Sequence, residues 1–315
     1  MLDPVAEDLK RVDALIGERL ASDVPLVREV AQYIVAAGGK RLRPALLLLS
    51  CGALGYRGES RHVLAAVVEF IHTATLLHDD VIDESDLRRG NRTANAAFGN
   101  AAAVLVGDFL YSRAFQMMVE VRDMRVMSVL AEATNTIAAG EVMQLMASHD
   151  PQVDEARYLE VIRRKTAKLF EASARLAAVL SGKTEFEEVL ARYGAHVGTA
   201  FQLIDDVLDY SGEAGTIGKN LGDDLAEGKP TLPLIHAMRA AGSGADLIRK
   251  AIREGGRGEF GQVLAVVRGS GSLDYARAAA EREAQVARDA LAPLPRSEFK
   301  RCLLELASFS VARQS

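Results

Sequence analysis

Residues 61–85 read RHVLAAVVEFIHTATLLHDDVIDES, and their spacing decides the fold class. Apolar residues recur at helical period up to Ile82, without the strict alternation of a strand. The stretch closes on Asp79, Asp80 and Asp83. A second stretch, FQLIDDVLD at 201–209, repeats the device with Asp205, Asp206 and Asp209. The first and last aspartates of each set lie four residues apart on one helix face, where like charges repel. Burying them among Leu, Ile and Val is costly unless a cation compensates. A solvated helix face explains one such cluster; two, each flanked by apolar residues, make that reading poor.

The rest of the chain is also helical in pattern. Residues 5–20 place Val5, Leu9, Val12, Leu15, Ile16 and Leu20 on one face, and residues 24–36 repeat the pattern. Gly38 and Gly39 break it, and Pro44 suits the first turn of the next helix. Further helices are expected over 61–85, 94–119, 124–148, 154–180 and 184–210. Gly90 follows the first acidic stretch as a helix stop, and Thr184 with Glu187 has capping-box spacing. Helices around 161–180 and 194–209 are apolar on more than one face and are candidates for the centre of a bundle. Residues 211–229, rich in Gly, Asp and Lys, are expected as a long functional loop, with helices resuming near Thr231. No Pro- or Ser-rich linker divides the 315 residues, so one all-α domain, 1–315, is expected.

Composition narrows the function classes. Hydrophobic residues make up 49% and charged residues 26%, which argues against disorder. The net charge of −5 argues against a general nucleic-acid binder. Two cysteines, Cys51 and Cys302, make no disulfide framework, so a reducing cytoplasm is expected. Met1 leads into Asp3, Glu7 and Asp8, not into a secretory signal. The longest uncharged stretch, Thr93 to Gly107, is too short for a membrane span.

Mg²⁺ is the cation that suits the clusters. It takes carboxylate oxygens, keeps several waters and shares its shell with phosphates. Two facing clusters would then hold a diphosphate through bridging metal. The cations fit a second anionic ligand: Lys40, Arg41 and Arg43 lie on a Gly-broken loop at a helix start, where backbone N–H groups favour anions. Arg88 and Arg89 follow the first cluster, Lys165 sits beside Thr166, and Lys219 and Lys229 lie in the polar loop. Each alone reads as a solvated charge. His72 reads either as a diphosphate donor or as a satisfied core histidine.

These residues together resemble the trans-type polyprenyl diphosphate synthases of the long-chain, octaprenyl-forming kind. The carriers are Gly38-Gly39-Lys40-Arg41-Leu42-Arg43-Pro44, then His78 through Gly90, Lys165-Thr166, Phe201 through Asp209, Gly218-Lys219 and Gly228-Lys229. The resemblance covers nearly the whole chain. It implies the isoprenoid synthase fold, an antiparallel helical bundle around a central cavity, and a homodimer. It implies Mg²⁺-dependent condensation of isopentenyl diphosphate with an allylic diphosphate such as farnesyl or geranylgeranyl diphosphate, with three ions to a site. Carried over, Asp79, Asp83 and Asp205 bind metal, with Asp80, Asp206 and Asp209 in the catalytic clusters. Lys40, Arg43, His72 and Arg89 hold isopentenyl diphosphate. Arg88, Lys165, Thr166, Gln202 and Lys219 hold the allylic partner, and Lys229 joins the substrate-binding set. Transient membrane contact for product release and a quinone side chain as the product's use also follow from the resemblance.

Breaking the allylic C–O bond leaves a carbocation, which needs a dry apolar chamber, and a diphosphate, which needs fixed positive charge. The growing tail is expected to run past Thr75, Ala74 and Ile71. Each helical turn advances about 5.4 Å, close to one isoprene unit, and the small Ala74 and Thr75 let the tail pass; the resemblance then implies a product of about 30 to 50 carbons, with octaprenyl at about 40. Phe109, Leu110, Phe115, Met117 and Met118 are candidates for its floor, or plain core. A shorter-chain, geranylgeranyl or farnesyl diphosphate synthase stays open. So do three other classes. A phosphohydrolase would use His78-Asp79 but leaves the second cluster unexplained. A di-metal scaffold would need a second pair like Glu69 and His72. A terpene cyclase or head-to-head condensing enzyme would not need the Gly38–Pro44 loop.

Overall fold

The computed structural model describes residues 1–36, 38–88, 90–211, 221–240 and 242–313, and they are almost wholly helical. The helices are α1 (Ala6–Arg19), α2 (Pro25–Ala36), α3 (Leu42–Ala53), α4 (Ser60–Ile82), α5 (Ala94–Phe98), α6 (Asn100–Glu120), α7 (Met124–Ala147) and α8 (Glu155–Ile162). A π-turn, Arg163–Ala167, leads into α9 (Lys168–Ser181). Then come α10 (Glu187–Ser211), α11 (Asp223–Ala226), α12 (Leu232–Ala240), α13 (Ala245–Glu254), α14 (Phe260–Gly269), α15 (Ser272–Ala290) and α16 (Glu298–Ala312). Two short antiparallel strands, β1 (Leu87–Arg88) and β2 (Asn91–Arg92), pair Leu87 with Arg92.

The chain divides into two compact units. The first holds Met1–Thr134, Leu169–Gly194 and Ala290–Glu305; the second holds Asn135–Lys168, Ala195–Asp289 and Leu306–Ser315. In the first, α4 packs against α6, α3 and α1. Its apolar face is buried along its length, from Leu64 through Val68 and Ile71 to Leu77. On α1 Val12 and Ile16 are buried, with Val5 just before it and Leu20 just after it, while Leu9 and Leu15 are half-buried. In the second unit one cluster joins Tyr158 and Ile162 of α8 to Leu203, Ile204 and Val207 of α10. Another joins Tyr210 to Leu234, Ile248, Ile252 and Val263.

Several element boundaries differ from the sequence reading, each for a local reason. Helix α4 stops at Ile82, capped by Asp83, and Glu84 turns left-handed at φ 51°. Gly90 belongs to the hairpin beyond, not to a helix end, because Arg88 folds back to bond Asp80. The expected 94–119 helix is broken at Gly99, whose φ of 88° only glycine adopts readily. Thr184 opens a short 3₁₀ turn, and α10 begins at Glu187. The Glu187 carboxylate accepts from Arg125 (2.5 Å) and Arg175 (2.8 Å).

Burial raises the Glu187 pKa, but the bonds from Arg175 and Arg125 outweigh it and leave the pKa below the ordinary value. The stabilisation from that group is therefore whole above the ordinary carboxylate pKa of about 4.3 and drains as pH falls through the lowered native value. Glu187→Gln should cost about 1–3 kcal/mol at neutral pH. Thermal melts between neutral and acid pH should show the wild type converging on the flatter profile of the variant.

Candidate active site

Helix α4 delivers the first acidic cluster. Asp79 and Asp83 are half-buried, one turn apart, and the Asp83 N–H donates to the Asp79 carbonyl at 2.8 Å. Asp80 points elsewhere. It is 1% exposed and its Oδ1 accepts from Arg88 Nε (2.8 Å) and Nη2 (2.6 Å). Burial alone would lower the Arg88 pKa; the bonds and charge of Asp80, with the charges of Asp79 and Asp83, raise it on balance. Asn95 donates to the carbonyls of Asp80 and Ser85, and the Thr93 hydroxyl to that of Ser85, tying the hairpin to the end of α4.

His78 fixes this helix end against α6. Its Nε2 lies 3.2 Å from the Val104 carbonyl and 3.4 Å from Asp108. Gly107 allows that approach, since a Cβ there would lie 2.3 Å from His78 Nε2.

A cavity in the same unit is lined by His72, Arg41, Arg88 and Arg92, with Glu69 and Asp80 as counter-charges. Of the expected diphosphate-binding residues, His72 and Arg88 meet here. Lys40 is exposed on its loop, and the Arg43 guanidinium lies 4.3 Å above the Phe170 ring. Arg41 adopts the left-handed region (φ 48°) and bonds Glu69 (2.5 Å) and Asp13 (3.0 Å). The motif contains Arg41, yet nothing in its spacing distinguishes a pocket-building arginine from a ligand-binding one. Ile71 and Ala74 are fully buried, as are Leu110, Met117 and Met118; Thr75, Phe109 and Phe115 are half-buried.

In the second unit α10 exposes one aspartate of its cluster and buries the other two. Asp205 is exposed and accepts from Arg313 at 3.1 Å, whose guanidinium lies 3.7 Å over Phe201. Asp206 is 3% exposed and accepts from Gln202 Nε2 (2.8 Å) and from the Tyr158 hydroxyl. Burial, then the charge of Asp224, pushes the Asp206 pKa well up against those two bonds, and burial raises that of Tyr158. Asp209 is 9% exposed, and its Oδ1 accepts from the Gly222 N–H at 3.1 Å. Thr166 donates to Gln202 Oε1 at 3.0 Å, and Lys165 pairs with Glu141 at 2.6 Å. Lys229 pairs with Glu227 at 2.5 Å. Arg89 and Lys219 lie outside the described residues. Tyr158, Glu141 and Arg313 escaped the sequence reading because they belong to no motif and meet Asp206, Lys165 and Asp205 only through tertiary packing.

Lys165 and Thr166 sit on the π-turn, a form of helix often found at functional sites. Gly140 of α7 abuts it: a Cβ there would lie 2.7 Å from the Lys165 backbone N.

A family model for polyprenyl synthetase matches residues 24–267. The chain belongs to that family. It is 53% identical to the octaprenyl diphosphate synthase of Haemophilus influenzae, over 97% of this chain and 94% of the relative. It is 52% identical to that of Escherichia coli K12, over 98% and 96%. Among solved structures, a polyprenyl synthase from Caulobacter crescentus CB15, complexed with calcium and isoprenyl diphosphate, superimposes with a TM-score of 0.97 at 45% identity, covering 100% of this chain and 97% of that one.

In this polyprenyl synthetase Gly140→Ala should push the π-turn off its register, costing about 1–3 kcal/mol of stability and most of the prenyl-transfer activity. Gly17→Ala in α1 is the control, since a Cβ there meets nothing within 4 Å. Thermal melts and initial rates on both variants check the contrast.

Proposed function

We propose that this chain condenses isopentenyl diphosphate with an allylic diphosphate, farnesyl or geranylgeranyl diphosphate, to build a long all-trans polyprenyl diphosphate, octaprenyl the best match. One observation carries the reading. The helix that presents Asp79 and Asp83 also borders a cavity lined by arginines and His72, in a chain that matches octaprenyl diphosphate synthases nearly end to end.

The donor chemistry suits Mg²⁺. Asp79 and Asp83 in the first unit, and Asp205 in the second, offer only hard carboxylate oxygens, and such a cation completes its shell with water and phosphate. Bound by these carboxylates, Mg²⁺, with three ions to a site, would supply Lewis-acid charge to the departing diphosphate. Asp80 and Asp206, in contact with their own donors, hold the clusters in place. Lys40, Arg43, His72 and Arg89 bind isopentenyl diphosphate; Arg88, Lys165, Thr166, Gln202 and Lys219 bind the allylic partner, and Lys229 belongs to the substrate-binding set. Buried apolar side chains of α4 and α6 exclude water from the reacting carbons.

The same reading makes residues 1–315 one isoprenoid synthase domain, consistent with a family match that runs through both units. It also makes the enzyme a homodimer. Val142, Leu145 and Met146 on α7 are all more than half exposed, apolar side chains within one helical turn of each other that a second copy would cover. A cytoplasmic location suits Cys51 and Cys302, both buried free thiols; burial pushes Cys51 up to about 12, far from the reactive thiolate. Among the described residues no helix is long and apolar enough to cross a membrane, and product release would need only transient membrane contact.

One incubation tests the activity. Purified protein, Mg²⁺, labelled isopentenyl diphosphate and farnesyl diphosphate should yield products centred on octaprenyl; phosphate release without any chain growth would overturn the reading. Asp79→Asn should lower turnover by at least about a hundredfold. Ala74→Phe should shorten the products, and an unchanged length profile would remove Ala74 from the tail's path. Light scattering should give twice the chain mass, and Leu145→Glu should move it toward the monomer.

A further inference from the structure

Tyr158 lies on α8, is 6% exposed and packs among Leu203, Ile204 and Val207. A buried phenol needs a partner for its O–H, and this one donates to Asp206 Oδ2. From there a line of hydrogen bonds runs to the π-turn. Asp206 Oδ1 accepts from Gln202 Nε2 at 2.8 Å, and Gln202 Oε1 accepts from the Thr166 hydroxyl at 3.0 Å. Gln202 and Asp206 are four apart on α10, so their mutual bond runs along one face of that helix.

The amide gives this line a direction. Its two ends differ, and with Nε2 turned to Asp206 only Oε1 faces Thr166. Thr166 therefore commits its proton to Gln202, and its hydroxyl keeps a single orientation. The weak point is Asp206, whose terminal torsion is soft. Its Oδ1 bond to Gln202 alone leaves the carboxylate free to swing; the phenol pins the other oxygen.

We infer that Tyr158 is a positioning residue for allylic-diphosphate chemistry, acting through Asp206 and Gln202 to hold Thr166 in one orientation. The inference rests on the prenyl-transfer reading proposed above. Tyr158 touches no substrate in this scheme, and no motif marks it.

The test is a double-mutant cycle of Tyr158→Phe and Thr166→Val, read as initial rates of the first condensation, with thermal melts alongside. Tyr158→Phe should lower kcat about tenfold while KM for isopentenyl diphosphate stays within about twofold. In the Thr166→Val background the same substitution should cost less than about twofold, because the line already ends there. Tyr158→Phe with wild-type kcat, or losses that multiply in the double variant, overturns the inference. Should Tyr158→Phe melt below assay temperature, the cycle is run below its melting temperature, and the same two outcomes decide. If wild-type protein makes no polyprenyl product, it is the functional reading that fails; an active wild type with additive losses sinks only the role of Tyr158.

Discussion

A carboxylate buried in a helical core has to be met by donors, and that requirement shapes both acidic helices. The middle aspartate of each motif points inward: Asp80 is 1% and Asp206 3% exposed. Each is answered inside its own unit, Asp80 by the fork of Arg88 and Asp206 by Gln202 and Tyr158. The cost of desolvating the charge is offset only by such charge-assisted bonds. In return the inward aspartate fixes the helix rotation, which leaves Asp79, Asp83 and Asp205 partly or largely exposed to solvent.

Glycines supply the second layer of control. At Gly107 and Gly140 the absence of a Cβ lets a neighbouring element come closer than any side chain would permit. The first admits the His78 ring beside Asp79; the second admits the π-turn that carries Lys165 and Thr166. Packed interiors transmit even one extra methyl group, so these contacts hold His78 and the π-turn where they are. The left-handed Arg41, held by Glu69 and Asp13, does the same for the loop between α2 and α3.

Much of this was legible in the linear chain. Helical periodicity named the elements, and four of the six residues it put on the first face, Val5, Val12, Ile16 and Leu20, are buried, with Leu9 and Leu15 half-buried. The repeated aspartates, the Gly38–Pro44 loop and the Lys165-Thr166 pair identified the family chemistry. What periodicity could not register were breaks whose cause lies elsewhere in the fold. The end of α4 depends on Arg88 returning to Asp80, and the start of α10 coincides with Glu187 being taken by two distant arginines.

Sequence alone therefore determined which residue types carry charge, on which helices, and in what order, because those properties are local and repeat with the helical turn. Tertiary structure decided which aspartates of each motif turn inward, and that Tyr158, Glu141, Arg313 and Arg41 meet Asp206, Lys165, Asp205 and Glu69. Those choices depend on donors far away in the chain, and a buried charge settles where its partners are, not where its spacing alone would put it.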